Sequence, residues 1–107
     1  MNQLIQILFM ALSSQNRGML EQIIDREIAY VEKLMRTFQD PQIKSQLQIT
    51  KEEDFVLGMA WGYIMGKFDA SFLAVNQRSS NTEESEEVIN IILNRVREIK
   101  EAIFKSG

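Results

Sequence analysis

The chain has 107 residues, 45% hydrophobic and 25% charged, the makeup of one globular domain rather than a disordered segment. Twelve basic residues are scattered among fifteen acidic ones, for a net charge of −3. That balance disfavours nucleic acid, whose phosphate backbone is bound by clustered Lys and Arg. Neither cysteine nor histidine occurs, which excludes disulfides, thiolate metal sites, cysteine nucleophiles and every catalytic arrangement built on imidazole.

The first predicted element is a helix from about Gln3 to Ser13, with Leu4, Ile5, Leu8, Phe9 and Leu12 on one face. No basic residue precedes its apolar stretch, so it reads as a core-forming helix rather than a secretory signal. The polar run Ser13-Ser14-Gln15-Asn16 and then Gly18 predict a break or bend, with one continuous helix carrying a weak joint as the alternative. A second helix is expected from about Met19 to Phe38. Its stripe is Leu20, Ile24, Ile28, Val31, Met35 and Phe38, widened by Ile23, Tyr30 and Leu34. Glu32 and Arg36 form a favourable i, i+4 pair.

Asp40-Pro41 ends that helix and suits the start of a short one, with Asp40 as N-cap, Pro41 in the first turn, and Ile43 and Leu47 on one face. Thr50-Lys51-Glu52-Glu53 then reads as a capping box opening a long helix to about Gln77. Ser79 to Thr82 form the next turn, and Ser80, Asn81 or Thr82 can cap the last helix. Glutamates at its start and lysines toward its end suit the helix dipole. Ile89, Ile92, Val96, Ile99 and Ile103 form its seam. The expected fold is therefore all-α: one domain over residues 1–107, a compact helical bundle of four to five helices, two of them short.

The helix from 52 to 77 is unusual. Gly58, Gly62, Gly66, Ala70 and Ala74 recur every four residues, and each of the three glycines costs roughly 1 kcal/mol relative to alanine in a helix interior. Such a row makes a shallow groove for close helix packing near a −50° crossing. The groove can receive another helix of the same chain or a second copy of itself. Opposite it lie Leu57, Trp61, Ile64, Phe68, Phe72 and Val75, with a half-apolar strip of Val56, Ala60, Tyr63, Lys67 and Ser71 between. This helix asks for cover on nearly every side, more than a 107-residue chain supplies. The expectation is a homodimer or larger assembly with Gly58, Gly62, Gly66, Ala70 and Ala74 at the interface. The run from Phe55 to Val75 has the length of a membrane span, but Lys67 and Asp69 within it argue for a helix buried in protein and against a membrane.

Two carboxylates fall on apolar helix faces: Glu27 among Leu20, Ile24, Val31 and Leu34, and Asp69 among Gly58, Gly62, Met65 and Leu73. A buried carboxylate must be paired, hydrogen-bonded, protonated or metal-bound. Arg26, Arg95 and Lys100 are candidate ion-pair partners, a hydroxyl or Tyr30 could supply a hydrogen bond instead, and a position near a helix end or interface would let either acid reach water. The alternative is a magnesium site built from Glu27 and Asp69, with Glu53 or Asp54 as a candidate further ligand. The Glu83/Glu86 and Glu84/Glu87 pairs have the spacing of pyrophosphohydrolase ligands but sit at a helix start, where they read as caps and solubilising charge. No phosphate-binding loop or nucleophile elbow is present.

The sequence thus points to a non-catalytic, homo-oligomeric cytoplasmic protein. It would act as an interaction, accessory or regulatory subunit, with no cofactor and with a protein as the candidate partner. The alternatives are a magnesium-dependent hydrolase of a phosphate ester or nucleotide, and a peripheral membrane or secretion-linked helper resting on the first helix.

Overall fold

A computed structural model describes residues 11–106 of the chain. The described residues form an all-α bundle of three long helices and one short one: α1 (Ser14–Phe38), α2 (Pro41–Leu47), α3 (Glu52–Asn76) and α4 (Thr82–Ser106). The helix expected over Gln3–Ser13 lies mostly outside these residues. Its last three positions are not helical, and Ser13 instead caps α1.

No break separates Ser13 from Met19, in contrast to the expected bend. The polar run is the start of α1 itself. The Ser13 hydroxyl accepts from the Asn16 N–H at 3.1 Å, satisfying one of the donors that every helix start leaves open. Asn16 is buried because its side chain has a partner. It exchanges hydrogen bonds with Asn76 at the end of α3, at 3.2 and 3.0 Å, and Asn76 also donates to the Phe72 carbonyl. Gly18 sits on the exposed side of this first turn and does not interrupt it.

α1 ends before Asp40-Pro41, as the restriction on a residue preceding proline requires. Asp40 accepts from the Gln42 and Ile43 N–H groups and starts α2. α2 ends at Gln48 in the left-handed region (φ 56°), and α3 ends in the same way at Gln77 (φ 57°). The capping box expected at Thr50 does not form. Lys51 occupies the N-cap with no side-chain bond, and Glu52 instead pairs with Lys44 of α2 at 3.2 Å.

Two contacts at opposite ends, Asn16 with Asn76 and Phe38 with Phe55 (ring centroids 5.0 Å apart), set α1 and α3 antiparallel. α4 turns back along α3 and runs parallel to α1, as Arg17–Glu87 and Arg95–Glu21 show. α1 buries the stripe that its spacing predicts: Leu20, Ile23, Ile24, Val31 and Met35, with Ile28, Leu34 and Phe38 packed beside it. α4 buries Val88, Ile92, Ile99 and Ile103, so Val88 takes the place expected of Ile89. α3 buries Val56, Ala60, Ile64, Phe68 and Phe72, an unbroken i, i+4 row. Each fully buried aliphatic or aromatic side chain of this core contributes about 1.5–3 kcal/mol.

Arg95 fastens α4 to α1. Its guanidinium donates to Glu98 at 2.8 and 2.9 Å and to Glu21 at 2.9 Å, and pairs with Asp25 at 2.7 Å. Those carboxylates, Glu98 foremost, raise its already high pKa further.

Candidate functional site

The first candidate region is the outward side of α3. Its buried row is Val56–Phe72, so the glycine row faces away from the core. Gly58, Gly62, Gly66, Ala70 and Ala74 are all exposed. A Cβ added at any of the three glycines meets nothing within 4 Å. None of the described residues packs on the three glycines, so the expectation that another helix of this chain fills the groove is not met there. Large apolar side chains share this side: Phe55, Met59, Tyr63 (55% exposed) and Leu73 (52% exposed). On the flank toward α4, Leu57, Trp61 and Met65 are half-buried, and Val75 is exposed near the helix end.

The row faces outward because all sides of this helix are apolar. The contest is settled by volume. Ile64, Phe68 and Phe72 remove far more surface from water than glycine and alanine can. They take the core, and Val56 and Ala60 follow on the same i, i+4 line.

The second candidate region is a cleft of 270 Å³ on the seam between α1 and α3, lined by Arg26, Glu27, Tyr30 and Tyr63. A smaller hollow of 110 Å³ adjoins it, sharing Arg26 and Tyr63 and adding Ile23 and Lys67. Glu27 is buried, at 4% exposure, as its place in the α1 stripe predicts. None of the expected cationic partners reaches it. Arg95 is committed to Glu21, Asp25 and Glu98 on another flank of α1. No hydrogen bond or ion pair engages Glu27 among the described residues. Burial therefore pushes its carboxyl above the ordinary glutamate value near 4.5. No fully buried side-chain oxygen or nitrogen among the described residues lacks a partner, so the Glu27 oxygens meet the cleft.

Asp69 departs from its expected setting. It is exposed and lines a different hollow, with Met65, Ala70, Leu73 and the serines of the α3–α4 turn. Its neighbours on the wheel belong to the outward side of α3, which is apolar in composition but open to solvent. Glu27 and Asp69 thus line separate clefts. Glu53 and Asp54 lie toward the far end of α3, beside Lys100 and Phe104. No group of three or more carboxylates able to hold a metal ion occurs among the described residues.

The acids at the start of α4 do more than the sequence assigns them. Glu84 and Asn81 form a reciprocal capping box, with bonds of 2.9 and 2.8 Å between each backbone N–H and the other's side chain. Glu84 also receives both Arg78 nitrogens at 2.8 and 2.9 Å. Glu87 accepts from the Ala11 and Leu12 N–H groups and from Arg17, tying the chain ahead of α1 to α4. Spacing alone could have revealed the Asn81-x-x-Glu84 box. The Glu87 contacts, seventy or more residues apart in sequence, leave no local signal.

Leu12 is buried in the core, while Leu4 and Leu8 lie outside the described residues. No described helix is long and apolar enough to cross a membrane. No protein-family model, curated protein or solved structure matches this chain.

Proposed function

We propose that this chain is a non-catalytic cytoplasmic protein that pairs with a second copy of itself through the outward side of α3, and serves as an interaction, accessory or regulatory subunit. The observation that carries this reading is the open glycine row beside exposed apolar side chains. Three mid-helix glycines cost about 3 kcal/mol of helix propensity together, and no described part of the chain offsets it. The same surface carries both holes and knobs. Gly58, Gly62, Gly66 and Ala70 form the flats, and Met59, Tyr63 and Leu73 project beside them. A surface of that kind can meet its own two-fold copy, each projecting side chain lying over the other copy's flat. Closing it would also cover the apolar side chains that a lone chain leaves in water.

The test is Gly62→Ala, read by light scattering and denaturant unfolding together. Wild type should have at least twice the 12.4 kDa chain mass at micromolar concentration. In a lone chain the added methyl meets open space and would stabilise by up to about 1 kcal/mol. In a close crossing it pushes two helices apart and costs about 1–3 kcal/mol. The reading expects loss of stability and loss of the larger species with helicity retained. A monomeric wild type, or a stabilised Gly62→Ala, would sink it.

A further inference from the structure

We propose that the cleft on the α1–α3 seam binds a small zwitterion, a short-chain amino acid whose ammonium group pairs with Glu27 and whose acidic end meets Arg26 and Lys67.

Glu27 is more than nine-tenths buried, lines the cleft and has no partner among the described residues. Every other buried polar side chain on the page is satisfied: Asn16 by Asn76, and Glu84 by Arg78 and Asn81. A carboxylate held this way has no protein donor and only the water of the cleft for a partner, so a cation delivered from outside adds a bond that folding left unmade. The room matches a small molecule. The cleft and its adjoining hollow, 270 and 110 Å³, share Arg26 and Tyr63 and so form one continuous lining.

The choice of a zwitterion over a simple cation comes from the other uncommitted charges. Arg26 and Lys67 line the same pair of hollows, and neither has an ion-pair partner among the described residues. Two free cations beside the entrance oppose a purely cationic ligand and favour one that also carries an anion. Arg26 offers a planar fork that fits a carboxylate, and Lys67 a second point charge. The rings of Tyr30 and Tyr63 line the cleft beside Glu27, where an aromatic face adds to the attraction for an ammonium group. Tyr30 already shows this chemistry, with Lys33 Nζ 5.6 Å from its ring centroid. The raised carboxyl pKa of Glu27 fits an unmet site, and an ammonium partner would bring it down.

The carboxylate and both cations come from one chain and only Tyr63 is shared with the self-association surface, so the mass measurement above leaves the site undecided and the following experiment leaves self-association undecided. The full-length chain, isotopically labelled at glutamate carboxyls, is titrated with γ-aminobutyrate, n-butylamine and butyrate in separate NMR series. The expected result is a saturable shift of the Glu27 resonance with γ-aminobutyrate and a fall in the Glu27 pKa on saturation. Affinities for n-butylamine and butyrate should be at least tenfold weaker. Glu27→Gln should weaken γ-aminobutyrate binding at least tenfold, and Lys67→Gln severalfold. Lys67 is exposed, so its variant tests the site even if the Glu27 variant folds poorly. No saturable shift at millimolar ligand overturns the proposal, as does equal binding of n-butylamine, or affinity unchanged in both variants.

Discussion

Glu84 at the α3–α4 turn and Glu27 in the middle of α1 are buried to almost the same degree, 3% and 4% exposed, yet their surroundings treat them in opposite ways. Glu84 is met on three sides. Arg78 donates twice, Asn81 donates its backbone N–H, and Arg78 is itself steadied over the Phe72 ring at 5.1 Å. Its pKa is lowered, chiefly by the Arg78 hydrogen bonds. Glu27 has only burial, and its pKa is raised. The difference teaches that depth does not decide what a buried acid does for a fold. A helix start brings its own donors, because its first N–H groups are open and its loop can carry an arginine. The middle of a helix has no spare backbone donor, so a carboxylate there depends on a facing helix, and α3 presents no donor bonded to it.

Removing each acid should expose that difference, and the larger effect belongs to Glu84. Glu84→Ala leaves the Asn81 N–H without its capping oxygen and should cost about 1–2 kcal/mol in urea unfolding. An unchanged midpoint would mean that the box contributes nothing. Glu27→Leu should go the other way and gain about 1 kcal/mol, since it replaces an unmet polar group in an apolar stripe with a side chain that packs. A loss of stability in that variant would show that Glu27 has a donor after all, and would bring the two sites together.

Most of the fold was readable because most helices have one apolar face. On α1 the positions from Leu20 to Met35 leave a single choice of core side, and the structure takes it. The same reasoning resolved less on α3: it set Ile64, Phe68 and Phe72 opposite the glycine row, as the structure has them, but every side of this helix is apolar and a wheel alone cannot rank them. Only side-chain volume in three dimensions does so, and it sent the glycine row and Asp69 outward. The start of α1 was misread because Gly18 looks like a break, whereas the Ser13 cap and the Asn16–Asn76 pair hold that turn from outside the helix. The burial of Glu27 was readable from its spacing. Its missing partner was not, since which cation stands across a seam depends on how two helices are rotated, and local sequence does not encode that.

The smallest effect is the most specific, because it depends on sign rather than size. A carboxyl whose folded pKa is raised binds its proton more tightly in the folded state. Wild-type stability is therefore free of the Glu27 penalty below the ordinary value near 4.5, and the penalty grows as pH rises through the folded pKa. Glu27→Gln cannot ionise, so its stability relative to wild type should climb over that window and then level off. Glu84 is the mirror case. Its lowered pKa gives stability that is present above the unfolded value and lost as pH falls through the folded one. The deficit of Glu84→Gln should therefore be full at neutral pH and shrink in acid. Urea midpoints of wild type and both variants, taken from pH about 3 to 7, would give two difference curves. The Glu27 curve should rise through mildly acidic pH, and the Glu84 curve should fall away from zero as the carboxylate forms. Curves that run in the same direction would mean that the two carboxylates share one environment, which the bonds at Glu84 and their absence at Glu27 do not allow.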